Sequence, residues 1–273
     1  MEFVEPRRLA RPPALLFDAA YRGTEHGGGF DDFAHRVRQR DALLVDPTLW
    51  FWSPAFSETM NWLRSWVPDG RPILEIGCGL GFFLHALRRE GFAPVGLDVA
   101  SMAVELNRKD GFAVWHGTLD TMPEGWVEPA AVVVFFMLHH VEEPLQLLQD
   151  IRSRWPQARV ALAQYGPSNV RPHSSEAPRN LTKWNATALR EAFERAGYEV
   201  EVRNLASNGT EGNFLVAWRS ALFEFLIRVP SVYRGAKRVL DPVVSRLARR
   251  IKQEAYVLLA FAEPTSFDTM APP

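Results

Sequence analysis

The stretch that most constrains this sequence is Ile73–Gly81, which reads Ile-Leu-Glu-Ile-Gly-Cys-Gly-Leu-Gly. An apolar run with Glu75 near its end leads into three closely spaced glycines, Gly77, Gly79 and Gly81, and then into a helical pattern. Glycine is needed where the backbone must approach a ligand closely or adopt a positive φ. The stretch therefore predicts a strand, a ligand-binding loop and a helix in succession, with a plain glycine-rich turn as the alternative.

The spacing of these glycines argues against a dinucleotide site. The fingerprint of such sites, G-x-G-x-x-G, leaves two residues between its second and third glycines. Here only Leu80 separates Gly79 from Gly81, and the next residue is Phe82. A loop that binds the pyrophosphate of a dinucleotide is therefore disfavoured.

From Arg71 onward, short β-rich runs alternate with segments of helical period, which is typical of βαβ units and a parallel sheet. The candidate strands are Pro72–Ile76, Pro94–Asp98, Ala113–Thr118, Ala131–Met137, Arg159–Tyr165, Glu199–Leu205 and Tyr256–Phe261. The helices between them carry start and stop signals. They are Phe82–Glu90 before Gly91, Met102–Lys109 capped by Ser101, Leu145–Trp155 after Pro144, and Ala186–Ala196 capped by Asn185.

Two regions fall outside this alternation. Residues 1–70 contain a helix start at Ser53-Pro54 and a crowd of aromatic residues, which indicates a helical cap or lid. Residues 206–255 separate the sixth strand from the seventh by far more than a usual connection, which predicts a helical insertion. The remaining parts are the core, 71–205, and the last strand with its tail, 256–273.

The composition narrows the functional classes. The chain has 31 basic and 32 acidic residues, so it lacks the basic surplus expected of a duplex-binding protein. Its one cysteine, Cys78, rules out an internal disulfide or a thiolate metal cage, and the histidines show no metal-ligand spacing. No apolar run has the length of a membrane helix or a signal core. We expect a cytoplasmic protein with no metal and no nucleic-acid partner.

The glycine stretch and four further motifs resemble the class I S-adenosylmethionine-dependent methyltransferases, in particular the small-molecule branch that includes ubiquinone-type O-methyltransferases. The four motifs are Val95–Asp98, His116–Pro123, Phe135–Val141 and Pro178–Asn185. The resemblance covers about residues 71 to 205. It implies an α/β fold with a Rossmann-like, seven-stranded, mostly parallel sheet, and S-adenosyl-L-methionine as the cofactor.

The resemblance also implies which residues bind this cofactor. Asp98, at the end of the second strand, would accept hydrogen bonds from both ribose hydroxyls. Thr118 stands where the family often has an aspartate at the adenine, so Thr118 or Asp120 must serve there. The implied set is Glu75, Gly77, Cys78, Gly79, Gly81, Asp98, Val99, Thr118, Leu119, Asp120 and Phe135.

His139 and His140 match the family signature after the fourth strand, with His139 in place of the usual acid and His140 on the family histidine. Imidazole accepts a proton near neutral pH, so either is a candidate base toward a substrate hydroxyl. The alternative is a structural role at the start of the next helix. We expect the acceptor against Tyr165, Trp184 and, from the cap, Trp52; for Trp184 a core position is the alternative.

The chain is therefore predicted to methylate a small molecule, in the first place at oxygen. Methylation of nitrogen or carbon in a small or lipid-linked acceptor, and a catalytically silent scaffold or regulatory partner, are the alternatives. The insertion adds a hypothesis, because residues 219–252 hold nine basic and two acidic residues among apolar ones. Such an element either lies on an anionic membrane or lipid, or covers the core with a solvated face.

Overall fold

The computed structural model describes residues 33–46, 53–68, 70–166, 181–206, 222–223, 225–250 and 256–265. The helices are α1 (Phe33–Leu44), α2 (Ser53–Arg64), α3 (Phe82–Arg89), α4 (Ser101–Lys109), α5 (Pro144–Arg154), α6 (Ala186–Arg195) and α7 (Pro230–Arg250). The strands are β1 (Pro72–Ile76), β2 (Ala93–Asp98), β3 (Ala113–His116), β4 (Ala131–Phe135), β5 (Arg159–Tyr165), β6 (Tyr198–Ala206) and β7 (Tyr256–Pro264).

The strands form one sheet in the order β3-β2-β1-β4-β5-β7-β6. The first five strands of the chain run parallel, and β7 runs antiparallel to both of its neighbours. The chain leaves β1 toward β2 and β3, and later returns to place β4 on the other side of β1. Open α/β sheets bind ligands at the carboxyl ends of the strands beside such a switch point. The predicted seven-stranded, mostly parallel Rossmann-like sheet is confirmed.

Both faces of the sheet are covered, which explains the apolar strand sequences. β4 reads Ala-Val-Val-Val-Phe and is buried along its whole length, as expected for a parallel strand with helices on both sides. Its side chains alternate between two hydrophobic clusters. One cluster lies under α5 and α6, and the other joins α2, α3 and part of α7.

One predicted helix cap is confirmed and another is wrong. The Asn185 side chain accepts a hydrogen bond from the Ala188 N–H at 2.8 Å and so caps α6. At α4 the predicted cap, Ser101, is instead the first helical residue, and Ala100 occupies the cap position. Asp98 Oδ1 accepts the Ala100 N–H at 2.8 Å, and this Asx turn leads the chain from β2 into α4 with no side-chain cap.

Two strands end before their predicted limits. β3 ends at His116, two residues before Thr118, because Gly117 has a φ of 146° and turns the chain. β4 ends at Phe135 because Phe136 has a φ of 51°, which lies outside the range of a strand. In both cases the chain departs from the sheet at the edge where the predicted ligand site lies.

The helical insertion leaves and re-enters the sheet at this same edge. Ala206, the last residue of β6, pairs with Tyr256, the first of β7, and Val257 pairs with Tyr165 at the end of β5. The two ends of the insertion therefore lie side by side next to the carboxyl end of β5. Among the helices that the structure describes, none has the length and apolar character needed to cross a membrane.

Candidate active site

The glycine loop lies at the carboxyl end of β1 and is fastened to the end of β2. The backbone N–H groups of Gly77 and Cys78 donate to the Leu97 carbonyl at 2.7 and 3.1 Å. Gly77, Gly79 and Gly81 all have positive φ, at 74°, 49° and 77°. The loop thus adopts a conformation that side-chain-bearing residues rarely take.

Packing adds a second reason for glycine in this loop. A Cβ atom at Gly81 would lie 1.9 Å from Asn107 Oδ1, and one at Gly77 would lie 2.7 Å from Met137 Cγ. Asn107, fully buried on α4, donates through Nδ2 to the Gly79 carbonyl at 2.7 Å. Sequence reasoning missed Asn107; the available signal was an amide on the helix face that also carries the buried Ala103.

Asp98 is held in one orientation by the loop. Its Oδ2 accepts the Gly79 N–H at 2.7 Å, and its Oδ1 accepts the Ala100 N–H at 2.8 Å. Burial raises the pKa of Asp98, although these backbone hydrogen bonds lower it. Each carboxylate oxygen can accept a further hydrogen bond. The group is therefore suited to accept from a pair of hydroxyls such as those of a ribose.

Glu75 carries a buried oxygen that the protein does not satisfy. Burial, followed by the nearby Asp98, raises the pKa of Glu75 well above its usual value, while a backbone hydrogen bond with Leu84 lowers it. Glu75 Oε2 has no hydrogen-bond partner within the described residues. An unpaired buried carboxylate oxygen is costly. An incoming cationic amino group, such as that of S-adenosylmethionine, fits this position.

Cys78 is a buried thiol that fills space in the loop. A Cβ atom at Gly96 on β2 would lie 2.8 Å from Cys78 Sγ, so the thiol packs against the neighbouring strand. Burial, followed by Asp98 and Glu75, raises the pKa of Cys78 well above its usual value. Cys78 is therefore a neutral thiol, which is a poor nucleophile.

The predicted adenine residues lie in the turn after β3. Thr121 Oγ1 accepts the Thr118 N–H and donates to the Thr118 carbonyl, both at 3.0 Å, which fixes this turn. The side chains of Thr118 and Asp120 are exposed, and Leu119 is buried in the core. Val99, after β2, is half-buried.

Phe135 contributes its ring to the core and only its backbone to the edge of the sheet. The ring centroid lies 4.7 Å from that of Phe56 on α2 and 4.7 Å from that of Phe83 on α3. Its predicted contact with the cofactor therefore concerns the backbone at the end of β4.

The two histidines stack on each other after β4, with ring centroids 3.8 Å apart. Gln164 Nε2 donates to His139 Nδ1 at 2.7 Å, and both of these side chains are buried. Burial, followed by the neighbouring His140, lowers the pKa of His139 to about 3. His139 is therefore neutral, with its Nδ1 lone pair engaged and its proton on Nε2. His140 is half-buried.

An aromatic pair, Phe136 and Tyr165, lies beside the histidines. The two ring centroids are 4.7 Å apart, and the Tyr165 ring is 5.8 Å from that of His139. Within the described part of the chain, Phe136 is the only residue other than glycine with a positive φ. Such strained residues concentrate at functional sites. Sequence reasoning missed Phe136 and Gln164, although Gln164 was visible as an amide in the apolar strand β5.

Two tryptophans were predicted to contact the acceptor, and the structure describes only one of them. Trp184 is 4% exposed, packs in the core, and donates through Nε1 to Thr182 Oγ1 at 2.8 Å. Its segment reaches the histidines, because the Leu181 N–H donates to the His139 carbonyl at 2.8 Å. Trp52 lies outside the described residues.

Across the described ranges, no cluster of three His, Cys, Asp or Glu side chains is arranged to hold a metal ion.

Known proteins match this chain in sequence. The sequence model of a family described as a methyltransferase domain matches residues 55–202, more than half of the chain. The ubiquinone biosynthesis O-methyltransferase of Vibrio cholerae is 32% identical over 90 residues, which are 30% of this chain and 36% of that protein. The match thus spans about a third of that relative's length.

Solved structures match it in fold. The [4+2]-cyclase SpnF has a TM-score of 0.53 and 16% identity, over 77% of this chain and 82% of that chain. Phosphoethanolamine N-methyltransferase 2 of Haemonchus contortus, in complex with S-adenosyl-L-methionine, has a TM-score of 0.54 and 18% identity. That match covers 83% of this chain and 60% of the other. At these identities the likeness concerns the fold alone.

Proposed function

The chain belongs to the methyltransferase-domain family, and from this premise we propose that it transfers a methyl group from S-adenosylmethionine to oxygen in a small aromatic or apolar molecule. One observation carries the proposal: the Met137 side chain packs against Gly77, which brings the histidine turn against the glycine loop. The cofactor-binding loop and the two histidines thus share one edge of the sheet.

The residues at this edge fit the cofactor. The unsatisfied Glu75 Oε2 would hold its amino group, and the Asp98 carboxylate its ribose hydroxyls. The glycine loop presents backbone without side chains. When bound, the cofactor supplies a sulfonium methyl that is already activated, so the protein's main tasks are alignment and exclusion of water.

The histidines receive different roles in this proposal. His139 donates a hydrogen bond through Nε2 to the acceptor, because Gln164 occupies its Nδ1. His140, half-buried and stacked on it, takes the proton from the acceptor hydroxyl. The rings of Phe136 and Tyr165 favour a flat, apolar acceptor next to this pair. The O-methyltransferase of Vibrio cholerae supports oxygen as the methylated atom, on a match to 30% of the chain.

Methyl transfer from labelled S-adenosylmethionine to a panel of phenols, each matched with the corresponding aniline, tests this function. We expect transfer to phenols, and a loss of kcat of about 10²-fold or more in His140→Gln with unchanged affinity for the cofactor. The matched control is Glu142→Gln, an exposed position two residues further along, which should behave as wild type.

Three outcomes would contradict the proposal in separable ways. An unchanged kcat in His140→Gln would show that His140 is not the base. Transfer to anilines but not to phenols would show that nitrogen, and not oxygen, is the methylated atom. Cofactor binding without transfer to any acceptor favours the scaffold or regulatory alternative.

A further inference from the structure

A second surface of the molecule, formed by α7 and the residues just before it, is unusually apolar. Across the described residues, six large apolar side chains are strongly exposed, and five of them lie between residues 225 and 243. These five, with exposed fractions between 46% and 70%, are Phe225, Val229, Val232, Val239 and Val243. We call this set the exposed apolar face.

Three of these five side chains lie on a side of α7 that does not pack on the core. Val232, Val239 and Val243 are seven and four residues apart, so they line one side of α7. Another side of the same helix already packs on the core, with Tyr233 fully buried and Leu240 beside it. α7 therefore has two apolar sides, and only one is used in folding.

Positive charge is concentrated on the same element. α7 contains six basic residues and one acidic residue, whereas the whole chain has a net charge of −1. Lys237 pairs with Asp241, at 2.5 Å, and Arg238 pairs with Asp46. Arg228 lies exposed next to Phe225, with 6.0 Å between its Cζ and the ring centroid. Because Lys237 and Arg238 are paired, the local excess of positive charge rests on Arg228, Arg234 and the three basic residues that follow Val243 in α7.

The face belongs to the element that joins the sheet at the active-site edge. The insertion begins after Ala206 and ends before Tyr256, beside the end of β5. α7 also contacts α1, where Gln39 Nε2 donates to the Tyr233 hydroxyl at 3.2 Å.

We infer that the exposed apolar face docks on an anionic lipid bilayer. Exposed valine and phenylalanine side chains enter the boundary between headgroups and acyl chains, and surrounding arginines contact anionic headgroups. This inference does not depend on the proposed reaction, since it concerns binding alone.

Co-sedimentation of the full chain with vesicles tests the inference. We expect binding to phosphatidylcholine vesicles that contain phosphatidylglycerol at least about tenfold stronger than binding to pure phosphatidylcholine vesicles, and weaker binding at high salt. The triple variant Val232→Ser, Val239→Ser, Val243→Ser should lower the partition constant about tenfold or more. These positions are exposed, so circular dichroism should show an unchanged fold.

A charge variant and a matched control complete the experiment. Arg246→Gln with Arg249→Gln, both on α7, should weaken binding to the anionic vesicles about thirtyfold, which corresponds to about 1 kcal/mol per charge near the surface. Arg190→Gln with Arg195→Gln removes the same charge from α6, on the other face of the sheet, and should leave binding as in wild type.

Three results would overturn the inference. The first is no sedimentation of the wild type with anionic vesicles at low salt. The second is equal binding by the triple valine variant and the wild type. The third is a dimer of the wild type in light scattering that the valine variant abolishes, since this would assign the face to a second copy of the chain.

Discussion

At Gly81 two independent constraints select the same residue. One is the backbone, with a φ of 77°, and the other is the Asn107 side chain that fills the space of a Cβ. Gly125 shares the first constraint, with a φ of 70°, but has nothing within 4 Å of the Cβ position. The pair therefore separates the cost of a left-handed backbone from the cost of packing.

We expect Gly125→Ala to lower the free energy of unfolding by about 1 kcal/mol, the usual cost of a left-handed alanine. Gly81→Ala should cost about 2 kcal/mol more, because Asn107 must move. Urea unfolding of both variants measures the difference. Equal costs would show that Asn107 does not constrain the loop.

His139 illustrates how burial changes the chemistry of a side chain. Its ring lies within the protein, one nitrogen faces the Gln164 amide, and the other is left as a donor. The residue type suggested a base, yet its surroundings favour a neutral ring that orients a ligand. The contribution of this neutral ring to stability must therefore depend on pH.

His139 contributes to the free energy of unfolding of the wild type near neutral pH, and this contribution is lost in acid. Its pKa of about 3 in the folded state lies below the unfolded value, so the unfolded chain takes up the proton first as the pH falls below about 6.5. Stability from this group is complete above that pH and declines toward pH 3. Between about pH 7 and pH 5 the loss is about 2 kcal/mol.

The measurement is urea unfolding of wild type and His139→Gln at both pH values. The difference in free energy of unfolding should shift by about 2 kcal/mol in favour of the variant at the lower pH. Other groups, including Glu75 and Asp98, act in both proteins and cancel. A pH-independent difference would contradict the assignment of a neutral, buried ring.

At the scale of elements, α1 is tied to the glycine loop by one arginine. Arg40, 4% exposed, donates to Asp110 Oδ2 at 2.8 Å after α4, and to the Leu80 carbonyl at 3.4 Å. His85 Nε2 lies 3.1 Å from the same Asp110 oxygen. The loop is therefore supported from α1, α3 and the end of α4 together.

We expect Arg40→Gln to cost about 2 kcal/mol of stability, because it leaves the partly buried Asp110 without its arginine, and also to weaken cofactor binding. The matched control is Arg64→Gln, which breaks the exposed pair with Glu90 and should cost below about 1 kcal/mol without affecting the cofactor. Thermal unfolding and calorimetric titration measure the two effects. Equal behaviour of the two variants would contradict a support role for Arg40.

At the scale of the whole molecule, the long insertion is compatible with the sheet because its ends meet. Ala206 and Tyr256 are paired neighbours, so the intervening residues close a loop whose entropic cost grows only slowly with length. The sheet is therefore continuous where the insertion leaves and re-enters it. Such an element is a suitable place for binding a partner outside the site.

Apart from the Ser101 cap, the features encoded in short stretches were predictable from the sequence, and features made by distant contacts were not. The glycine loop and the Asn185 cap depend on short stretches, and both were predicted. The support by Asn107, the Gln164–His139 hydrogen bond and the positive φ of Phe136 arise where separate strands and helices meet. In the sequence, a hydrogen bond of this kind is visible only as a single polar residue among apolar ones, such as Gln164 in β5.

The central claim, that this edge of the sheet binds S-adenosylmethionine, is tested most directly by calorimetric titration of the full chain with this cofactor. We expect a single saturable site in the wild type, and binding about tenfold or more weaker in Glu75→Gln, because an amide cannot take the negative charge that would face the bound amino group. Glu124→Gln, exposed near Gly125, is the matched control and should bind as wild type. The absence of binding by the wild type, or equal binding by Glu75→Gln, would contradict the account.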